Sequence, residues 1–262
     1  MWKQIRLFFK DLKHVGALGF GYPARHIASL FGQRVASINV PGFGPFAVRY
    51  GDSDAAVLRQ VFARREYDLS KLPQQARIEQ RYNALIANGR TPVIIDAGAN
   101  IGCASVWFAK HFPKAAIVAI EPDAANVAIA RRNIAAYPAV KLVEGAIGAS
   151  SGRVDVVSGD GQSFGIRTER SDEGSVKVYS VGDLKREAGP DAELLLVKVD
   201  IEGFEKDLFS ENLAWLDETT ALIVEPHDWM LPGQHSSGTL QKAVFPRNFE
   251  MLIHRESLVF VR

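Results

Sequence analysis

The sequence predicts an α/β protein whose core is a doubly wound sheet, mostly parallel, with a reversed last strand. From Pro92 onward, short β-branched runs alternate with helical segments over short links, which is typical of parallel strands covered by helices. A glycine-containing turn, DAGANIG, joins the first of these strands to its helix. Two strand-like runs close the chain in FEMLIHRESLVFVR and predict an antiparallel hairpin that turns at Arg255 and Glu256.

A small α/β cap is expected in front of this sheet, which divides the chain into a cap region over 1–90 and a main domain over 91–262. Residues 35–50 predict two short strands around a Pro/Gly turn. Ser53 is a candidate N-cap for the helix that follows, and a second helix is expected over 74–87, ended by Gly89.

The main domain predicts five strands in succession: PVIID, AAIVAIE, AVKLVEGAI, ELLLVKVD and ALIVE. Helices are expected over 100–111, 123–136 and 204–213. ELLLVKVD is apolar without a break, as in a strand that is buried on both faces at a sheet centre. GRVDVVS and SVKVYS indicate an inserted hairpin or edge strands between the third and fourth strands.

Charge balance, cysteine content and apolar runs exclude several classes of protein. The 31 Lys and Arg residues nearly balance the 30 Asp and Glu residues, so no nucleic-acid partner is expected. Cys103 is the only cysteine, which excludes an intrachain disulfide and agrees with a reducing compartment. No apolar run approaches the roughly 18 residues that a membrane span needs, and the first residues lack the pattern of a secretory signal. These features predict a cytoplasmic protein.

The first residues predict an amphipathic helix. Its apolar side contains Trp2, Ile5, Phe8, Phe9 and Leu12, and its basic residues are Lys3, Arg6, Lys10 and Lys13. The favoured interpretation is a helix packed on its own domain, and peripheral contact with a membrane surface is the alternative.

The glycine turn helps to identify the cofactor, because ligands of open α/β sheets bind beside the first strand-to-helix turn. A dinucleotide site requires the spacing G-x-G-x-x-G. Placing its last glycine on Gly102 puts alanines at the first two positions. Placing its first glycine on Gly98 puts Asn100 and Cys103 at the other two. Both registers argue against an NAD(P) site.

The turn instead favours an adenosyl ligand without phosphates. Gly98 and Gly102 let the main chain come close to a ligand, and free N–H groups at the helix start can receive a carboxylate, such as that of S-adenosylmethionine. Glu121 ends the next strand, nineteen residues beyond Gly102, where a carboxylate can accept hydrogen bonds from ribose hydroxyls. The alternative is that Asp96 and Glu121 only cap neighbouring helices.

Four segments, DAGANIG, AIEPDAANVAIARRNI, LLVKVDIEGFEKDLF and IVEPH, together resemble the FkbM-type S-adenosylmethionine-dependent methyltransferases over roughly residues 90–230. The most specific is KVDIEGFE. The resemblance implies the class I methyltransferase (Rossmann-like) fold with seven strands, and O-methylation of a hydroxyl on a sugar, glycolipid or secondary metabolite. One segment departs from the family pattern: SVGDLKREAG stands where a T-L-D-D-L-like run is frequent, and only Asp183 and Leu184 align.

The resemblance also implies which residues bind the cofactor. The turn would hold the methionine side, Glu121 the ribose, and residues 144–146 the adenine, although a plain turn is the alternative for these last three. The expected cofactor-binding residues are Asp96, Gly98, Asn100, Gly102, Glu121, Asn126, Glu144, Gly145 and Ala146.

An acid cluster follows the predicted central strand. Alternation places Lys198, Asp200 and Glu202 on one side of the chain while it remains extended. Buried charges are costly unless they are paired or functional. Methyl transfer to an alcohol benefits from a base that takes the hydroxyl proton, and Asp200 or Glu202 could serve. His227, which ends the next strand, is the rival base because its ordinary pKa lies near neutrality.

The same side chains allow a second role. Asp200, Glu202, Glu225 and His227 could hold a divalent ion, but no tight ligand spacing supports a metal site, so none is predicted. Glu205 is interpreted as a first-turn helix charge. Helical spacing assigns three aromatic residues to the core: Trp107, Phe108 and Trp215.

The acceptor is expected to be a small molecule or a glycan. Its pocket would be closed by the N-terminal third and by the loop over 228–240, in which Trp229 is a candidate lining residue. An NAD(P)-dependent oxidoreductase and a non-catalytic nucleoside-binding module are the alternative functions, and homo-oligomerisation stays open.

Overall fold

The computed structural model describes residues 1–158, 166–170, 173–230 and 232–262, with backbone alone over 156–158 and 166–170. Among these residues, no helix combines the length and the apolarity that crossing a membrane requires.

The N-terminal part contains helices and one hairpin. Its helices are α1 (Trp2–Asp11), α2 (Val15–Leu18), α3 (Gly21–Ala28), α4 (Asp54–Leu58) and α5 (Gln75–Ala87). Strands β1 (Val35–Val40) and β2 (Gly44–Arg49) pair antiparallel, as predicted. Short 3-10 turns occupy Leu12–His14 and Ser29–Phe31, and a π-helical turn, Arg59–Ala63, continues α4.

Two predictions about helix ends in this part have different outcomes. Ser53 stands at the N-cap of α4, but the Ser53 side chain makes no capping hydrogen bond and its hydroxyl lies 3.5 Å from Asp52 Oδ1. Helix α5 ends as predicted, because Gly89 follows its last turn in a left-handed conformation with φ of 70°.

The remaining strands and helices follow in alternation. The strands are β3 (Thr91–Ala97), β4 (Ala116–Glu121), β5 (Val140–Glu144), β6 (Ala146–Ile147), β7 (Gly152–Ser158), β8 (Ile166–Arg170), β9 (Val176–Tyr179), β10 (Ala192–Val199), β11 (Ala221–Val224), β12 (Glu250–His254) and β13 (Ser257–Val261). The helices are α6 (Cys103–His111), α7 (Ala124–Asn133), α8 (Val181–Glu187), α9 (Glu205–Leu208), α10 (Ala214–Glu218) and α11 (Gly238–Val244), with a 3-10 turn at Phe245–Arg247.

Seven strands form the main sheet in the order β12-β13-β11-β10-β3-β4-β5. Strands β3, β4, β5, β10 and β11 are parallel, and β13 runs antiparallel to both β11 and β12. This order confirms the predicted class I methyltransferase fold with its reversed last strand. The closing hairpin is also present, but β13 lies between β11 and β12, so β12 forms the edge.

A second sheet lies in the segment between β5 and β10. Its strand order is β6-β9-β7-β8, and β7 and β9, which correspond to the GRVDVVS and SVKVYS runs, pair antiparallel. The two runs therefore belong to a separate four-stranded sheet, and they do not extend the edge of the main one.

Predicted helices were longer than the observed ones. The helix expected from residue 100 begins only at Cys103, because Asn100 and Gly102 adopt left-handed backbone angles, with φ of 51° and 83°. The helix expected over 204–213 is the four-residue α9, and α7 ends at Asn133.

Side chains of the main sheet alternate between two apolar cores. Ile94 of β3 lies in one core, and its neighbours Val93 and Ile95 lie in the other. Such burial on both faces is typical of parallel strands. Phe46 and Leu85 from the N-terminal part are buried in the first core, so this part shares its apolar core with the sheet.

Candidate functional site

A cavity of about 490 Å³ lies at the carboxyl ends of β3, β4, β10 and β11. The chain runs outward from β3 to β5 and returns to β10, so β3 and β10 flank the switch point where open α/β sheets bind ligands. The β3–β4 side is lined by Gly98, Ala99, Asn100, Ala104, Ile120, Glu121, Pro122, Asn126, Gly145, Ala146 and Ile147. The β10–β11 side is lined by Lys198, Asp200, Ile201, Glu202, Phe204, Glu225 and His227. All three predicted catalytic residues therefore face the same cavity as six of the nine predicted cofactor residues.

Gly98 brings the end of β3 close to the end of β10. Its φ is 75°, and a Cβ at this position would lie 1.8 Å from the main-chain oxygen of Asp200. The N–H groups of Gly98 and Ala99 both donate to the oxygen of Ile120, each at 3.0 Å. A side chain at Gly98 would thus collide with the strand that carries the acid cluster, which explains the glycine independently of any ligand.

Glu121 is a buried carboxylate at the end of β4. One oxygen accepts from the Asn100 N–H at 2.8 Å, and the other accepts from the Asp123 N–H at 3.0 Å and from Asn126 Nδ2 at 3.3 Å. Burial raises the pKa of Glu121 to about 7, although these donors oppose the rise. Further hydrogen-bond donors would therefore stabilise the ionised form of Glu121.

Asn126 connects the N-terminal part to this carboxylate. Its Oδ1 accepts from Arg49 at 2.6 Å, and the same guanidinium pairs with the fully buried Asp54 at 2.7 Å. The chain of contacts runs from Asp54 through Arg49 and Asn126 to Glu121, so the N-terminal part helps to hold the wall of the cavity.

Gly145 follows β5 directly, and Ala146 begins β6. A Cβ on Gly145 would lie 2.7 Å from the oxygen of Lys177 and 2.8 Å from the ring of Tyr179. The Gly145 N–H donates to the main-chain oxygen of Glu121 at 3.0 Å. The second sheet thus packs directly behind this part of the cavity wall.

Three residues expected to touch the cofactor lie away from the cavity. Asp96 is fully buried, where it accepts from Ser105 Oγ at 2.5 Å and lies 3.2 Å from Lys198 Nζ. A Cβ on Gly102 would lie 3.0 Å from Ile134 Cγ2, so this glycine permits close packing of α6 on α7. Glu144 is exposed and pairs with Arg131 at 3.1 Å. All three support the fold around the site.

The segment that contains the acid cluster is not extended throughout, although the predicted alternation of its side chains requires this. Strand β10 ends at Val199, and Glu202 adopts a φ of 51°, which is rare for glutamate because its Cβ crowds the backbone. Lys198 nevertheless faces the cavity, and its Nζ lies 2.7 Å from the oxygen of Gly98 and 3.5 Å from Asp200 Oδ2. Burial opposes the charge of Lys198, but Asp96 and Asp200 hold its pKa above the ordinary value.

His227 has a carboxylate partner that the sequence analysis assigned to another role. Its Nδ1 lies 2.8 Å from Oε1 of Glu205, and both side chains are buried. Glu205 therefore does more than place a charge in the first turn of a helix, because it also binds the His227 ring. The sequence contains one indication of this burial. Glu205 lies three residues before Leu208, which is fully buried, and this spacing places both on one face of α9.

The other ring nitrogen of His227 faces two carboxylates. Nε2 lies 3.6 Å from Asp200 Oδ1 and 3.9 Å from Glu225 Oε1. Burial alone would lower the pKa of His227, but the hydrogen bond to Glu205 and the surrounding negative charges raise it to about 9. Burial and the charge of Asp200 raise the pKa of Glu225 to about 8. Glu205, Asp200 and Glu225 therefore favour the protonated form of the His227 ring.

The same three side chains offer ligand atoms for a cation. The candidate atoms of Asp200, Glu225 and His227 all lie within 4.8 Å of one another. Carboxylate and imidazole are common ligands of divalent metals, and a histidine ligand usually donates its other N–H to a carboxylate, as His227 can to Glu205. Glu202, which the sequence analysis included in such a site, is outside this group.

The remaining wall comes from the N-terminal part and from two loops. It is formed by Val57, Gln60, Val61, Tyr67, Trp229, Met230 and Glu256. Trp229 lines the cavity while 75% of it is exposed, so it borders the mouth. Leu231 of the expected loop over 228–240 lies outside the described residues. Trp107, Phe108 and Trp215 are buried, which confirms their assignment to the core.

Comparison with known proteins gives the family. The model of the methyltransferase FkbM domain matches residues 96–237. The methyltransferase sdnD of Sordaria araneosa is 27% identical over 187 residues, which cover 58% of this chain and 66% of that protein. The 2-O-methyltransferase NoeI of Sinorhizobium fredii is 30% identical over 156 residues, which cover 52% of this chain and 64% of that protein. The chain thus spans slightly less than two thirds of the length of the curated relatives it matches.

Solved structures of methyltransferases are also similar. The methyltransferase FkbM of Methylobacillus flagellatus KT aligns with a TM-score of 0.45 at 14% identity, over 66% of this chain and 44% of that one. The magnesium protoporphyrin IX methyltransferase of Synechocystis PCC 6803, solved with bound SAM, aligns with a TM-score of 0.32 at 14% identity, over 72% and 79%. Because the FkbM domain match covers more than half of the residues, this chain belongs to the FkbM methyltransferase family.

Proposed function

We propose that this methyltransferase uses S-adenosylmethionine and transfers its methyl group to a hydroxyl oxygen of a sugar, glycolipid or secondary metabolite. One observation carries the proposal. A single cavity joins the buried carboxylate of Glu121, where a ribose would bind, to Asp200 and His227, where a hydroxyl proton could be received. A cofactor and an acceptor could therefore lie end to end.

The residues of the β3–β4 side fit an adenosyl cofactor. Glu121 offers a carboxylate to ribose hydroxyls, and Ile120, Pro122 and Ile147 supply apolar surface beside it for a base. The cavity volume of about 490 Å³ lies within the usual range for small-molecule sites. When bound, the cofactor supplies an electrophilic methyl group on a positively charged sulfur.

His227 is the base that the geometry favours. Glu205 is an acceptor, so it holds the ring with the proton on Nδ1 and turns Nε2 toward Asp200 and the cavity. In the neutral ring, Nε2 has a lone pair that can take a proton from an acceptor hydroxyl. A positive charge beside Asp200 and Glu225 would offset the negative potential that raises the pKa of His227. Proton loss from Nε2 would then become easier when the cofactor is in place.

Asp200 and Glu202 would position the reactants in this proposal. Both line the cavity, and Asp200 lies between Lys198 and His227, so its carboxylate is partly neutralised. Carboxylates of this kind can accept hydrogen bonds from an acceptor hydroxyl and favour a nearby cation. Alignment of the acceptor oxygen with the methyl group supplies much of the rate gain in such reactions.

A hydroxyl-rich acceptor fits the outer part of the cavity. Gln60, Glu225 and Glu256 provide polar groups, and Gln60 Nε2 lies 3.5 Å from Glu225 Oε2 and 3.2 Å from Glu256 Oε2. Trp229 adds an aromatic surface at the mouth. The relative NoeI is named as a 2-O-methyltransferase, which supports transfer to oxygen.

Methyl transfer can be tested with radiolabelled S-adenosylmethionine and a panel of sugars, glycolipids and phenolic metabolites. We expect label in an alkali-stable ether, and strong loss of turnover for His227→Gln with cofactor affinity retained. Transfer to nitrogen or carbon acceptors alone would contradict the proposal. Full activity of both Asp200→Ala and His227→Gln would indicate that the charged strand ends have no catalytic part.

A further inference from the structure

Helix α1 packs on its own protein through polar side chains. Asp11 Oδ2 lies 2.8 Å from the Arg25 guanidinium and 2.9 Å from His26 Nε2, and Gln4 Oε1 lies 3.1 Å from His26 Nδ1. Arg25 and His26 both belong to α3. The one buried residue of α1 is therefore the acid Asp11, whereas a surface helix usually buries apolar side chains.

Two residues of the apolar side of α1 point to solvent, while Ile5, Phe8 and Leu12 are half-buried. Trp2 is 79% exposed and Phe9 is 65% exposed, and their spacing of seven residues places them on one side of the helix. Phe8 extends this surface, because its ring contacts Phe9 at 5.5 Å and Phe20 at 6.0 Å between centroids. Phe31, which ends the 3-10 turn after α3 (Ser29–Phe31), is 82% exposed.

Exposed apolar side chains are concentrated in this part of the chain. Ten large apolar side chains are exposed among the described residues, and six of them lie within the first 31 residues. The six are Met1, Trp2, Phe9, Phe20, Leu30 and Phe31. An exposed apolar patch of this kind commonly marks a surface that contacts a partner or a membrane.

The charge around this patch is positive. Lys3, Arg6, Lys10 and Lys13 are exposed, and none of them forms an ion pair with any side chain that the structure describes. Residues 1–34 contain six Lys and Arg and one acid, a net charge of +5, whereas the rest of the chain contains 25 basic and 29 acidic residues, a net charge of −4. The single acid, Asp11, is buried against α3.

We propose that residues 1–34 dock on the surface of an anionic lipid bilayer, with α1 lying in the plane of the interface. Aromatic side chains on one face and basic residues beside them are the two features of helices that bind at such interfaces. Basic residues near a negatively charged leaflet are attracted to it, and Trp favours the headgroup region. A second copy of the same +5 surface would be repelled, which favours lipid over self-association. The proposal is independent of the proposed methyl-transfer reaction.

Vesicle co-sedimentation of the full chain tests this directly. We expect binding to phosphatidylcholine vesicles that contain phosphatidylglycerol, weak binding to phosphatidylcholine alone, and release as salt is raised. Replacing both Trp2 and Phe9 by Ser should weaken binding by more than about tenfold, since each buries a large apolar side chain. Replacing both Lys3 and Lys10 by Gln should weaken it by about 30-fold, from roughly 1 kcal/mol per basic residue.

A matched control uses exposed apolar residues on another surface. Met251 and Ile253 on β12 are 61% and 77% exposed, and their replacement by Ser should leave vesicle binding unchanged. Equal loss in this control and in the Trp2/Phe9 variant would overturn the proposal. Absence of binding at low salt would also overturn it, as would a concentration-dependent dimer or nucleic-acid complex that forms through this face while vesicles are not bound.

Discussion

Glu205 Oε1 lies 2.8 Å from Nδ1 of His227, and this buried contact fixes the direction of the other ring nitrogen. Nε2 is thereby turned toward Asp200 and Glu225 at the carboxyl ends of β10 and β11. A carboxylate that binds one nitrogen of a histidine base sets the tautomer of the ring and stabilises its protonated form. Glu205 is placed to do both for His227.

Removing the charge of Glu205 should shift the pH dependence of turnover. Glu205→Gln keeps an acceptor beside Nδ1 but loses the negative charge that raises the pKa of His227 to about 9. If neutral His227 is the base, the wild-type rate should rise with pH toward about 9, and the variant should reach its plateau at lower pH. A pH profile of kcat/KM, which reports the pKa of the free enzyme, checks this, with kcat measured in parallel.

Glu250→Gln is a suitable control for that profile, because Glu250 is exposed and pairs with Arg77 at the protein surface. It should leave the inflection where it is. An inflection that also stays in place in Glu205→Gln would show that the base is not His227, and would move the role to the Asp200 and Glu202 pair.

Cofactor binding should be linked to a proton on Glu121. Its pKa of about 7 means that the carboxylate is partly protonated near neutrality before a ribose binds. Ribose hydroxyls would donate to the ionised form, so binding should lower this pKa and release a proton. Affinity for S-adenosylhomocysteine should be level above pH 7 and fall below it, approaching about tenfold per pH unit.

Calorimetry in buffers of different ionisation enthalpy measures that proton release. The isosteric variant Glu121→Gln should bind more weakly and show no such dependence. Wild-type affinity that is the same on both sides of pH 7 would place Glu121 outside the cofactor contact.

Replacing Gly98 by alanine should lower the free energy of unfolding far more than the same replacement at Gly89, which has a similar φ. In Gly98→Ala the new Cβ meets the Asp200 oxygen at 1.8 Å, in addition to the strain of a φ of 75°. We expect a loss of about 3 kcal/mol in the free energy of unfolding. Gly89→Ala, with φ of 70° and open space around the new Cβ, should cost about 1 kcal/mol. Chemical denaturation of both variants compares them, and equal losses would contradict the predicted collision.

The fold could be predicted from the sequence where the local hydrophobic pattern determines which strands pair in the sheet. The β-branched runs from Thr91 to Val224 identified the parallel strands, because such strands are buried on both faces and joined by helices. The small sheet around Val154 and Val178 was not predictable, since a strand pattern does not say which sheet the strand joins. Helix starts were misplaced at Asn100 because a left-handed turn leaves little trace in hydrophobic spacing.

The site was predictable where residues follow parallel strands. Glu121, Asp200 and His227 all face one cavity because the carboxyl ends of neighbouring strands meet at one edge. Asp96 follows the same rule in sequence but turns inward to Ser105 and Lys198. Glu205 was interpreted only as a first-turn helix charge, because an acid at that position has the same local signature whether it is exposed or buried.

A chelator experiment distinguishes a proton from a metal ion between Asp200, Glu225 and His227. Nε2 of His227 already lies near both carboxylates and can neutralise them when protonated, so we expect methyl transfer to survive EDTA without added metal. If activity is lost on chelation and restored by Mg²⁺ or Mn²⁺, these three side chains hold a catalytic cation, and the base must be sought elsewhere.

Calorimetric titration with S-adenosylhomocysteine tests most directly whether the cavity beside Glu121 holds S-adenosylmethionine. The predicted result is a dissociation constant on the order of 1 μM for the wild type, weakening by at least about tenfold in Glu121→Ala, with no binding of NAD. Tight binding of NAD together with no binding of S-adenosylhomocysteine would contradict it.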